Sequence, residues 1–149
     1  MKIEIYTDGA CRGNGATNAL GAWAYIVYID GVKKDTIGRT EKGTTNNKME
    51  LTSILQAMQY IQHNNLYERN QITIYSDSQY SINSVTLWAN GWKKKNWKGV
   101  KNTEIIIPIY ELYTQMPNIK FQHVRGHSGN SGNEEVDRLC NLLMDAHQD

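Results

Sequence analysis

Ile3-Glu4-Ile5-Tyr6-Thr7-Asp8 and Ile72-Thr73-Ile74-Tyr75-Ser76-Asp77 read almost the same. Each is a β-type run of isoleucine, threonine and tyrosine that ends in a carboxylate. Side chains alternate along a strand, so an Asp five residues past the first Ile has the same phase in both runs. Were the strands neighbours in register, two acids would meet at their ends. Adjacent carboxylates repel, and a cation between them removes that cost. Asp is also common at turns, so the echo alone leaves an ordinary pair of turn acids open.

The rest of the chain supplies a sheet and its helices. Residues 22–29 (AWAYIVYI) are aromatic and β-branched, Asp30-Gly31 is a hairpin signal, and 32–40 reads as the partner strand. Residues 9–21, with Gly9, Gly13, Asn14, Gly15, Asn18 and Gly21, read as a turn-rich loop. Thr44-Thr45-Asn46-Asn47 offers helix caps, and Leu51, Ile54, Leu55, Met58 and Ile61 follow at helical spacing. A helix is predicted over 78–88 and another near 104–115, where Pro108 is expected to disturb pairing unless it lies in the first turn. Residues 119–124 alternate as a strand. Arg125 to Asn133 reads as a glycine-rich loop, and Val136, Leu139, Cys140 and Leu143 mark a final helix. The order β-β-β-α-β-α-α-β-α predicts the α/β class, a mixed sheet with helices on its faces.

The 149 residues fit one domain, 1–149, with a sizeable core. No apolar run approaches the roughly 20 residues of a membrane helix, and the chain opens directly on a strand. A cytoplasmic protein without a membrane partner is expected. Cys11 and Cys140 fit either one disulfide or two reduced thiols. The net charge of +1 hides an asymmetry: Lys93, Lys94, Lys95, Lys98 and Lys101 give residues 78–103 a charge of +5 with no acid, leaving −4 elsewhere. A concentrated basic segment points to a polyanion.

Two further acids strengthen the cation reading. Glu50 and Asp137 each flank the apolar stripe of a predicted helix, near its start. The helix dipole accounts for acids there without any metal, and for Glu134 and Glu135 as well. Convergence of four carboxylates without a His/Cys cluster would suit magnesium or manganese rather than zinc. Paired ions of this kind serve phosphoryl transfer.

The motifs YTDGACRGNG (6–15), TTNNKMEL (44–51), YSDSQY (75–80), WANGWKKKNWK (88–98), VKN (100–102) and VRGHSGNSGNEEVD (124–137) run in order along nearly the whole chain. Together they resemble the bacterial type 1 ribonuclease H family. The resemblance implies a ribonuclease H-like fold: a mixed five-stranded sheet, three antiparallel opening strands followed by parallel ones, flanked by helices. It implies an endonuclease that hydrolyses the RNA strand of RNA–DNA hybrids with two Mg2+ ions, Mn2+ being possible, and leaves 5′-phosphate and 3′-hydroxyl ends. A monomer is expected.

By the same resemblance, Asp8, Glu50, Asp77 and Asp137 hold the metals, and His127 is a loop histidine that aids proton transfer or product departure. RNA contacts fall at Cys11 to Asn14 and at Asn46, Asn47 and Gln79. Amides and tight-loop backbone suit 2′-hydroxyls in a shallow minor groove. Thr45, Asn14 and Asn102 are implied around a DNA phosphate. Trp88 is implied as a DNA-strand contact, with Trp92, Lys93, Lys94 and Lys95 in the same basic segment. His63, His123 and His147 match no functional position.

The chain departs from the pattern in places. It is shorter between Trp97 and Asn102, it carries Gly15 where a proline is usual, and it has Gly43 where some members place a basic residue beside Lys42. Two other readings share the architecture: a non-catalytic binding module, and a resolvase- or integrase-type nuclease. The presence of all four acids opposes the first. The TTNN and tryptophan–lysine segments oppose the second.

Overall fold

The computed structural model describes residues 1–126 and 130–147. Five strands form one mixed sheet in the order β3-β2-β1-β4-β5. They are β1 (Lys2–Arg12), β2 (Leu20–Ile29), β3 (Val32–Lys42), β4 (Gln71–Ser76) and β5 (Lys120–His123). β1 pairs antiparallel with β2 and parallel with β4, β2 pairs antiparallel with β3, and β4 pairs parallel with β5. The expected sheet is therefore present. The hairpin turn also stands where Asp30-Gly31 places it: both residues have positive φ, 49° and 80°, and Ile29 faces Val32 across the turn.

The helices are α1 (Asn46–His63), α2 (Gln79–Asn83), α3 (Ala89–Lys94), α4 (Thr103–Gln115) and α5 (Ser131–Ala146). A π-helical turn, Ser84–Trp88, joins α2 to α3, so the helical path runs past its expected end at 88. α1 and α4 cover one face of the sheet, where Ile3, Ile5, Val27 and Ile74 meet Leu51, Ile54, Met58, Ile106 and Ile109. α5 covers the other face, where Val136, Cys140 and Met144 meet Ala22, Ala24 and Ile26. Strand alternation separates the two sets.

Three boundaries correct the sequence reading. Gly9, Ala10 and Cys11 belong to β1, not to a loop, and Gly21 belongs to β2. These glycines are required by close packing: a Cβ on Gly9 would stand 2.2 Å from the backbone nitrogen of Glu50, and one on Gly21 2.4 Å from Thr44 Cγ2. α5 begins at Ser131 rather than after Asn133, because Asn130 caps it by accepting from the Asn133 N–H at 2.9 Å. Finally, α4 runs through Pro108 well past its first turn. Proline removes one N–H there, and the fully buried Ile106 and Ile109 on either side anchor the helix. Among the described residues, no helix is long and apolar enough to cross a membrane.

Candidate active site

The register of β1 on β4 decides the geometry. Ile3 pairs with Ile72 and Tyr6 with Tyr75, so the two similar runs lie side by side without slip. Asp8 and Asp77 each follow the paired tyrosine by two residues and so share its phase. Asp8 is still within β1 and 2% exposed, while Asp77 lies just past the end of β4.

Glu50 reaches the same point from the opposite face. It is the fifth residue of α1 and 8% exposed, and α1 has no acid in its first turn. The dipole fades within a turn and does not explain a buried carboxylate at that place. The contact of α1 with Gly9 explains the position: the Gly9 N–H donates to Glu50 Oε1 at 3.1 Å. Ligand atoms of Asp8, Glu50 and Asp77 all lie within 4.8 Å of one another. Asp137, half-buried on α5, is close enough to raise the proton affinity of both Asp8 and Asp77.

The electrostatics are those of an uncompensated acid cluster. Burial pushes Asp8 up to about 8, opposed by the adjacent Glu50 carboxyl and reinforced by the charges of Asp77 and Asp137. Burial and then the charges of Asp8 and Asp77 hold Glu50 well above the usual carboxylate range. Asp77 is raised mainly by burial. Asp8 Oδ2 and Glu50 Oε2 are buried and have no hydrogen-bond partner among the described residues. Orphaned buried acceptors are costly, and a hard cation satisfies them directly. These all-oxygen donors therefore fit Mg2+ or Mn2+.

His127 lies outside the described residues, as do Ser128 and Gly129. Gly126, immediately before them, stands beside the cluster: a Cβ there would be 3.5 Å from Asp77 Oδ2. His123, which matches no functional position, lies against the end of β4. Its pairing with Ser76 across β4 and β5 brings Nε2 to 3.2 Å from the Asp77 carbonyl oxygen. No local pattern could have found it, since the contact depends on strand pairing.

The remaining candidates form two groups. Asn14 lies in the β1–β2 turn, and its Oδ1 accepts from the Asn46 N–H at 2.8 Å, tying that turn to the start of α1. Thr45 is the helix cap, accepting from the Lys48 N–H at 3.2 Å, so capping does not occupy the exposed side chains of Asn46 and Asn47. Cys11 is half-buried, and its thiol donates to the Thr44 carbonyl at 3.5 Å. Gln79 opens α2, exposed, two residues after Asp77.

The second group is the basic segment. Trp88 is exposed, whereas Trp92 and Trp97 pack against the core. A run of ring contacts links Tyr80, Trp88, Trp92, Trp97 and Tyr110 at centroid distances of 5.7 to 6.5 Å. Lys93, Lys94 and Lys95 are exposed, and Lys93 Nζ sits 5.8 Å from the centre of the Tyr110 ring. Asn102, left-handed at φ 62°, donates from Nδ2 to the Tyr80 hydroxyl at 3.1 Å.

The RNase H family profile matches residues 1–143. The chain belongs to the RNase H family. It is 42% identical over 150 residues to a ribonuclease H of Clostridium botulinum, covering 97% of this chain and 96% of that one. It is 40% identical over 148 residues to a ribonuclease H of Francisella tularensis subsp. novicida, covering 96% and 91%. Among solved structures it is similar to LC9-RNase H1, described as a type 1 RNase H with the type 2 active-site motif: TM-score 0.74, 25% identity, 99% of this chain and 74% of that one. LC11-RNase H1, solved in complex with an RNA/DNA hybrid, shares the fold at TM-score 0.72 and 21% identity over 96% of each chain. The architecture is the RNase H-like fold.

Proposed function

We propose that this RNase H hydrolyses the RNA strand of RNA–DNA hybrids with two divalent cations, Mg2+ first and Mn2+ as a substitute. The products would carry 5′-phosphate and 3′-hydroxyl ends. One observation carries the reading: buried carboxylates, with oxygens that have no partner among the described residues, converge at the end of two in-register strands in a chain of this family. The complex of the fold neighbour LC11-RNase H1 with an RNA/DNA hybrid supports the substrate class.

In this reading Asp8, Glu50, Asp77 and Asp137 hold the cations. When bound, the cations supply an activated water and a counter-charge for the leaving oxygen. Asp8 lies at the centre, in contact with Glu50 and within the fields of Asp77 and Asp137. Gly9 keeps Glu50 aimed through its N–H. His127 moves a proton or assists product departure. Asn14, Asn46, Asn47, Gln79 and the backbone at Cys11 read the RNA strand through its 2′-hydroxyls. Trp88 and the lysines 93, 94 and 95 hold the DNA strand, with Thr45, Asn14 and Asn102 at one of its phosphates. Trp92 acts mainly by supporting Trp88 from the core side.

We further infer a single catalytic domain over residues 1–149, acting as a cytoplasmic monomer. The two unpaired thiols, Cys11 and Cys140, support a reducing compartment. One gel tests the activity: labelled RNA–DNA hybrid, double-stranded RNA and double-stranded DNA, each with Mg2+, Mn2+ or chelator. Cleavage of the hybrid's RNA strand alone, abolished by chelator, is expected. Chelator-insensitive cleavage, or an intact hybrid with both metals, would overturn the proposal.

A further inference from the structure

We propose that Tyr6, stacked on Tyr75, is a positioning residue: it is the shelf on which the start of α5 rests, and it sets how Asp137 stands over Asp8. The proposal rests on the cation-site reading above and adds to it a residue that holds no cation itself.

β1 uses its alternation twice. Tyr6 and Asp8 share one face of the strand, and that face is covered by α5. The Tyr6 ring lies parallel to the Tyr75 ring, with centroids 4.4 Å apart and planes within 10°. Tyr28 closes the other side, edge-on at 5.9 Å. The Tyr75 hydroxyl donates to Glu4 Oε2 at 2.7 Å, which holds the second ring in place. The shelf is thus built from three strands and has little freedom to tilt.

Gly132, the second residue of α5, sits directly on it. A Cβ there would stand 2.5 Å from Tyr6 Cε1 and 2.6 Å from Cζ, closer than a real carbon is found. Asn130, the cap of α5, lies near the Tyr6 hydroxyl. Its Oδ1 accepts from the Asn133 N–H. The Tyr6 ring therefore sets the height of the helix start, two residues from its cap. A turn later, Tyr28 donates to Glu135 Oε2 at 2.8 Å and Lys33 pairs with Glu135 Oε1. Tyr28 and Lys33 face each other across a bulged β2–β3 pair, so both reach the same carboxylate.

Asp137 follows Gly132 by five residues, a rise of about 7.5 Å along a stiff helix. A lift at Gly132 is carried to it. Asp8, Glu50 and Asp77 come from β1, α1 and the end of β4; pairing with β2 and β4 holds the β1 backbone, whose Asp8 carbonyl also accepts from the Cys140 thiol of α5 at 3.6 Å. Disturbing the shelf should therefore shift one ligand of four.

Gly132→Ala tests this, with Gly132→Ala/Tyr6→Leu as the rescue. The readouts are half-saturating Mg2+ for hybrid cleavage, kcat and KM, calorimetric Mn2+ titration of the free protein, and thermal unfolding in chelator. Gly132→Ala should raise half-saturating Mg2+ about tenfold and lower kcat, in the range expected when a group supporting a metal ligand is removed. The hybrid KM should stay within about twofold of wild type. The double variant should recover most of the Mg2+ requirement. Wild-type Mg2+ and Mn2+ behaviour in Gly132→Ala, or no recovery in the double variant, would overturn the shelf. Should Gly132→Ala lose cooperative unfolding, Tyr6→Leu alone decides: without the ring under Gly132, half-saturating Mg2+ should rise about tenfold, and no change would count against the proposal. A wild-type protein that fails to cleave hybrids would defeat the functional reading, while the Mn2+ titrations would still decide the shelf.

Discussion

Asp8, Glu50, Asp77 and Asp137 come from β1, α1, the end of β4 and α5, and so from nearly the whole length of the chain. Lys93, Lys94, Lys95, Lys98 and Lys101 come from one short stretch around α3. The acids are gathered where two of them are buried and two oxygens lack partners among the described residues. The lysines point outward. The first region concentrates charge against its own repulsion, at a cost that only a rigid, long-range scaffold can impose. The second spreads charge in water, where proximity costs little and is screened by salt. On the proposed function, chemistry and affinity would thereby fall on parts of the molecule that can be perturbed separately.

The strongest way to break that separation is Asp8→Asn. Cleavage of the hybrid should fall at least about 10³-fold, roughly 4 kcal/mol of barrier, with the KM for hybrid little changed. Retained turnover would show that the buried cluster is not the reaction centre. The tryptophans sharpen the boundary within the basic region. Trp92→Ala should lower stability by about 2–3 kcal/mol in urea titrations, because Trp92 packs against the core. Trp88→Ala should leave stability nearly unchanged and raise KM, since Trp88 is 40% exposed. The reverse pattern would exchange their roles.

Replacing Lys93, Lys94 and Lys95 with Ala should raise KM about tenfold with a smaller change in turnover. It should also flatten the log–log salt dependence by up to about 0.9 for each phosphate that is no longer neutralised. An unchanged slope would mean the lysines do not meet the backbone of the nucleic acid. The smallest effect concerns stability and pH. Asp8 rises from 3.8 unfolded to about 8 folded, so the folded state binds its proton more tightly. In chelator, stability should therefore be highest below about pH 4 as far as this group is concerned, and decline as pH rises toward 8. Asp8→Asn should remove that decline and raise the neutral-pH melting temperature by about 2–4 °C. Excess Mg2+ should reverse the ordering by stabilising only the wild type.

Several features were legible locally. Asp30-Gly31 specifies a turn needing two positive φ values, and the turn is there. Thr45 specifies a cap, and α1 starts after it. The equal phase of Asp8 and Asp77 holds because strand alternation has a period of two and pairing is in register. Other features were hidden because glycine and proline are ambiguous in isolation. Gly9 reads as a turn residue, yet it lies in β1 because α1 presses on it. Pro108 reads as a break, yet buried neighbours carry α4 through it. The π-helical turn at Ser84–Trp88, which leaves Trp88 outside and Trp92 packed inward, has no sequence signature of its own.

By itself, then, the sequence determined the strands, the hairpin, the basic segment and the shared phase of two aspartates, since each depends on neighbours along the chain. Only the tertiary structure decided that Glu50 is buried beside Gly9, that His123 lies against the Asp77 backbone, and that Tyr6 carries the start of α5. Those facts depend on which strand pairs with which and on how closely a helix can approach a sheet. Both are properties of packing between distant segments, and no local pattern encodes them.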